Sequence, residues 1–162
     1  MSLATDSIFI TAFQSNSELL EKLTEYIDDE GEVQYDATPR LYGTAIPLPD
    51  EDAKNVPVPY IIVTFDGLTN EQGTKDDRYE SEDDVVNISV DVIAKTLDDL
   101  HDLTQMVRDT VLSYLRTTDT AIKDYQFAAR QIVYDPDKPG YWQVLTYQCE
   151  TDNTKEDEQD EE

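Results

Sequence analysis

At 162 residues, with 38% hydrophobic residues and a formal charge of −25, the chain is long enough for one domain with its own core. A charge of that sign repels nucleic-acid phosphates and anionic membrane surfaces, which excludes binding either through a basic patch. A single cysteine, Cys149, excludes a disulfide framework and a thiolate metal site.

The first residues lack the basic start and apolar run of a signal peptide, and no stretch nears the roughly eighteen apolar residues of a membrane span. A soluble protein working in a reducing compartment is the expectation. Ser2 to Tyr26 predicts two short helices. Ile8, Phe9, Ala12 and Phe13 share a face of the first, behind Thr5 or Asp6 as a cap. Ser15 and Glu18 offer a capping box for the second, with Leu19, Leu20 and Leu23 inward. The acidic run Asp28 to Glu32, broken by Gly31, ends it as a loop.

Val33 to Tyr42 is weakly strand-like, with Arg40-Leu41-Tyr42 its best piece. Pro47, Pro49, Pro57 and Pro59 bracket a polar connector from Gly43 to Val58, read as an extended surface excursion. Tyr60 to Phe65 is apolar on both faces, as a central strand requires. Gly67 to Asp84 is polar and predicts a long loop carrying Glu71, Asp76, Asp77, Glu80, Glu82, Asp83 and Asp84.

The strongest local signal follows. Val86, Ile88, Val90, Val92 and Ala94 alternate with Asn87, Ser89, Asp91 and Ile93, the period of a half-buried strand. Thr96 and Asp99 form a capping box, after which Leu97, Leu100, Leu103, Val107, Val111 and Tyr114 recur at helical spacing. Asp98, Asp102, Asp109 and Arg116 fall opposite. A sheet with a long helix packed on it is the consequence. Thr117 to Asp124 reads as a polar turn, and Tyr125–Tyr134 with Tyr141–Cys149 as a closing hairpin around Asp135–Gly140. The chain divides into one domain, residues 1–150, and a flexible acidic tail, residues 151–162.

The inventory for catalysis is poor. His101, the single histidine, stands beside Asp102 with no nucleophile motif near it. No HExxH, glycine-rich phosphate loop or Asp-x-Asp-x-Asp-Gly calcium loop occurs. Cys149 reads as a small buried apolar residue. No enzyme activity, metal or cofactor is expected. Residues suited to contacts stand out more clearly. Met106 and Leu112 lie off the core stripe of the long helix, where they would be exposed or pack on a neighbouring subunit. Trp142 and several of the ten tyrosines lie on the closing hairpin and suit a subunit interface or a sheet equally.

The order of elements resembles a known family. A helical N-terminus leads to Arg40-Leu41-Tyr42-Gly43, then to the proline-led strand Pro57-Val58-Pro59-Tyr60-Ile61-Ile62-Val63. The alternating strand Val85 to Val92, the helix with Leu100, Leu103, Val107 and Leu115, and a final hairpin complete it. From about Thr5 to Glu150 this is similar to the tail-completion or tail-terminator proteins of long-tailed, siphovirus-like bacteriophages. The resemblance implies an α+β fold: a mostly antiparallel sheet with helices packed on one face, a long helix after the central strand and a C-terminal hairpin. It also implies a six-subunit ring in the virion, assembled in the bacterial host cytoplasm. Such a ring caps the tail-tube protein, ends tail polymerisation and meets the head-connector or neck protein. DNA passes through without being bound specifically, no membrane is involved, and the acidic loop faces the lumen or the adjoining ring. Another head–tail neck component is the near alternative. An acidic DNA mimic that inhibits a DNA-binding protein is the distant one, since it needs carboxylates on rigid elements. Asp152 to Glu162 instead holds seven acids against Lys155 in a tail.

Overall fold

The computed structural model describes residues 5–28, 30–43, 56–70, 83–120, 122–132 and 140–152. The described elements run in the order α1 (Thr5–Gln14), α2 (Ser17–Thr24), β1 (Glu25–Ile27), β2 (Val33–Tyr35), β3 (Leu41–Tyr42), β4 (Tyr60–Asn70) and β5 (Asp83–Ala94). The chain continues through α3 (Leu97–Thr117), β6 (Ile122–Ile132) and β7 (Tyr141–Asp152). Five strands form one sheet in the order β3-β4-β5-β7-β6, antiparallel except for the parallel β3–β4 pair. β1 and β2 form a separate antiparallel hairpin. The fold is therefore the expected α+β class, with a long helix after β5 and β6–β7 as the C-terminal hairpin. β7 does more than close that hairpin, because it inserts between β5 and β6.

Alternation along the strands separates the two faces of the sheet. Ile61 and Val63 of β4, Val86 to Ala94 at even positions of β5, and Leu145, Tyr147 and Cys149 of β7 form the main core. Onto them pack Phe9 and Phe13 of α1, Leu19 and Leu23 of α2, and Leu100, Leu103, Val107 and Val111 of α3. Tyr147 joins the layers: its ring lies 5.0 Å from Phe9, 5.6 Å from Tyr125 and 5.2 Å from Phe127, all tilted. The opposite face carries a smaller cluster of Val56, Tyr60 and Ile93, with Tyr42, Val58, Ile62 and Trp142 packed against it.

Four strands extend beyond their patterns: besides β4 and β5, β6 starts at Ile122 inside the expected turn, and β7 runs past Cys149 to Asp152, burying Thr151 of the expected tail. β4 continues through Gly67 to Asn70, and β5 begins at Asp83, so both ends of the expected loop of residues 67–84 are strand; residues 71–82 lie outside the described residues. The register shifts between Phe65 and Gly67, a bulge at which Gly67 takes φ 153°. The extra residue resets the pairing so that Leu68 lies opposite Val86. The run that is apolar on both faces ends at Phe65, and the mostly polar residues beyond it continue the strand through their pairing with β5.

The helices stop and start on specific caps. Asn16, not Ser15, caps α2: its Oδ1 accepts from the backbone N–H of Glu18 and Leu19, and its Nδ2 donates to Thr110 Oγ1 at 2.8 Å. Ser15 Oγ turns back to the Ala12 carbonyl instead. Thr96 caps α3 as expected, with Oγ1 accepting from Asp99 N–H at 3.1 Å. Leu97, read as part of the core stripe, is exposed on the first turn.

The end of α2 departs from the expected helix through Tyr26. The chain leaves the helix at Thr24, and its last carbonyls find partners elsewhere. Leu23 O accepts from Arg40 N–H and Thr24 O from Asp36 N–H. The Arg40 side chain, 2% exposed, completes the set. Its Nη1 donates to Thr24 O and to Asp36 at 2.5 Å, Nη2 to Glu25 O at 2.6 Å, and Nε to Pro59 O at 2.9 Å. Its guanidinium also lies 5.3 Å from the centre of the Tyr26 ring. Residue 59 follows a cis Val58–Pro59 bond.

Two stability predictions follow from these contacts. Arg40→Met removes the side-chain donor from the Glu25 and Pro59 carbonyls and from Asp36, and should lower stability by about 2 kcal/mol in urea unfolding. Arg40→Lys should recover only part, because an ammonium cannot span the fork. At Gly140 an added Cβ would lie 2.3 Å from the Ala94 carbonyl oxygen. Gly140→Ala should therefore cost about 1–3 kcal/mol in the same assay.

Candidate functional site

The three apolar residues expected to make contacts do not form one patch. Met106 is half-buried rather than exposed, packs against the main core, and its carbonyl accepts from Thr110 Oγ1 at 2.7 Å. It lines a polar groove of about 690 Å³ between the α1–α2 turn and α3. Leu112 is exposed on α3, six residues and so about 240° further around the helix. Trp142 belongs to the small cluster on the opposite face of the sheet. Of the acidic residues expected in the long loop, Asp83 and Asp84 are instead the first residues of β5. Glu71, Asp76, Asp77, Glu80 and Glu82 lie outside the described residues.

The register places the roots of two acid-rich segments together. Asn70 pairs with Asp84, and Asp83 pairs with Asp152. The chain thus enters residues 71–82 and 153–162 from adjacent strands at one end of the sheet. The first segment holds five acids against Lys75 and Arg78, the second six acids against Lys155.

The groups suited to catalysis are dispersed. His101 is exposed on α3. Among the described residues, no group of three or more His, Cys, Asp or Glu side chains is placed to hold a metal. Burial in the apolar core pushes the Cys149 thiol up to about 12, away from the thiolate needed for attack. Burial, and then the charge of Asp91, pushes the Tyr60 hydroxyl up to about 12 as well. Asp66 accepts a hydrogen bond from Ser89 across the open face of the sheet, at an exposed position.

Two further surfaces were not read from the sequence. The β1–β2 hairpin, whose Tyr26 and Ile27 share a groove with the end of β5 and the first turns of α3, exposes Ile27, Val33 and Tyr35 at 52%, 47% and 69%. Its turn is built on Asp28, whose Oδ1 accepts from Glu30 and Glu32 N–H and whose Oδ2 accepts from Gln34 Nε2. These bonds, the Glu32 one foremost, hold the Asp28 carboxyl below its ordinary range. Among the described strands, β6 is an edge strand, and it exposes Lys123, Asp124, Gln126, Ala128, Ala129 and Arg130. The Arg108 guanidinium lies 4.3 Å from the centre of the Phe127 ring of this strand. The alternating Val33-Gln34-Tyr35 was the one available signal for the hairpin. β6 was recognised as a strand, but its place at the edge depends on topology.

Compared with known proteins, the chain matches no family model and no curated protein. No described helix is long and apolar enough to cross a membrane.

The thiol supplies a direct check on this layout. Cys149 should resist a thiol-specific reagent in the native protein at neutral pH. It should react fully once the chain is unfolded in guanidinium, as measured by mass spectrometry of the adduct over time.

Proposed function

We propose that the protein is a structural component of a bacteriophage virion, a subunit of a ring that caps the tail tube. The ring ends tube polymerisation, presents a surface to the head connector, and lets DNA pass. It holds no cofactor and catalyses no reaction. The resemblance in element order supports this reading, and an α+β subunit with helices on one face is the shape it requires.

One observation carries the reading further: the roots of both acid-rich segments are paired at one end of the sheet. In a closed ring these roots, with Asp83, Asp84 and Asp152 in them, repeat around one end of the assembly as a belt of like charge. A belt facing the lumen gives passing phosphates no cation on which to stick, so DNA is not retarded. Facing the adjoining ring, the same belt would select a basic partner surface.

Native mass spectrometry with negative-stain imaging, from low micromolar to submillimolar protein, tests this. The expected result is a closed six-subunit ring with a central opening and no retention on immobilised duplex DNA at low salt. A monomer throughout that range, able to capture basic DNA-binding proteins, would overturn it in favour of an acidic mimic.

A further inference from the structure

The β1–β2 hairpin is inside out for a surface element. In an antiparallel pair, directly opposed residues share a face, and residues two apart along a strand share it too. Ile27 opposes Val33 and Glu25 opposes Tyr35, so Ile27, Val33 and Tyr35 lie on one face. Tyr26 opposes Gln34 on the other, where the Arg40 guanidinium meets the Tyr26 ring and the Asp28 carboxylate meets Gln34. The polar contacts are thus turned toward the body of the protein. The apolar face is the exposed one, ringed by Glu30 and Glu32. A small element held so firmly by a buried arginine, yet presenting its apolar side to water, has the form of a contact surface.

The charge around β6 suggests the occupant. The chain is strongly acidic, yet four of the seven Lys and Arg among the described residues lie on α3 and β6: Arg108, Arg116, Lys123 and Arg130. Arg108 approaches β6 from the helical face, over Phe127. Arg130 pairs with Val144, at the alternate parity that belongs to the open face. Ala128 and Ala129, both exposed, lie one on each face of a strand whose outer backbone edge pairs with no other described strand. Small side chains leave that edge open to close approach, and the arginines flank it on both sides.

We propose that copies of this chain join head to tail, the β1–β2 hairpin of one docking on the β6 edge of the next. Ile27, Val33 and Tyr35 cover the alanine stretch, while Glu30 and Glu32 meet Arg130 and Arg108. The proposal rests on the ring reading and supplies its subunit contact. A contact between two different flanks is heterologous, so it propagates from subunit to subunit until the ring closes. It also draws together the rare cations of one copy and a carboxylate rim of the next, which offsets part of the repulsion between acidic subunits.

The test is a charge swap in the full-length chain, read by sedimentation velocity and native mass spectrometry, with thermal unfolding to confirm folding. Arg130→Glu, and separately Glu30→Lys, should each raise the concentration needed for assembly on the order of tenfold, with unfolding unchanged. A one-to-one mixture of these two variants should assemble again, because each reversed flank meets a reversed partner, and should do so with alternating subunits. Tyr35→Ser should weaken assembly without rescue by either charge variant. If the wild type forms rings that none of these changes weakens, the contact is wrong and the ring stands. If the variants respond as expected but the wild type forms open chains, the contact stands and the ring falls. A wild type that stays monomeric throughout overturns both.

Discussion

One buried guanidinium sets the arrangement on which the rest depends. Arg40 holds the last carbonyl of α2, the first of β1, the carbonyl of Pro59 and the carboxylate of Asp36 in a single fork. A charge taken out of water is tolerable only when every donor is used, and this geometry spends nearly all of them on groups that would otherwise be orphaned. The result ends a helix, starts a hairpin and ties the entry of β4 to both. It also fixes which way the hairpin turns. With Tyr26 drawn under the guanidinium, Ile27 has to point away.

The main core explains how a chain with so much negative charge still folds. Its side chains are aliphatic and aromatic, layered between one sheet face and three helices, with Tyr147 bridging α1, β6 and β7. Polar groups that do enter are paired: Thr104 Oγ1 donates to Gln143 Oε1, and Thr110 Oγ1 donates to the Met106 carbonyl while accepting from Asn16. The described carboxylates sit in turns, on the outer sides of the helices and on the open face of the sheet, as Asp66 and Asp91 do, where water screens them. Burial there follows pattern, not overall hydropathy.

The legible parts of the sequence were those whose signal is local. β5 and α3 each carry a clean period, and Thr96 marks the junction between them, so both elements and most of the buried stripe could be read directly. What escaped was set by distant partners. Glu25-Tyr26-Ile27 continues the helical spacing of α2, and only Arg40, fifteen residues on from Glu25, makes it a strand. Ser15 looks as good a cap as Asn16 until Thr110, ninety-four residues away, offers Asn16 a second bond. In β4 the apolar run ends at Phe65, and the mostly polar residues beyond it are strand only through their pairing with β5. The contact surfaces were hidden for the same reason: exposure of Ile27 or of the β6 edge is a property of the assembled topology.

The place of β7 has a consequence for timing. It is the last strand in the described chain, yet it lies inside the sheet, pairing with β5 on one side and β6 on the other. During synthesis, β3, β4 and β5 can pair as they emerge, but β6 has no place in the sheet until β7 arrives to hold it. These are contacts of long sequence separation, slow to form and dependent on a finished chain. The ordered β6 edge therefore forms only once β7 is in place, and a chain truncated before β7 lacks it.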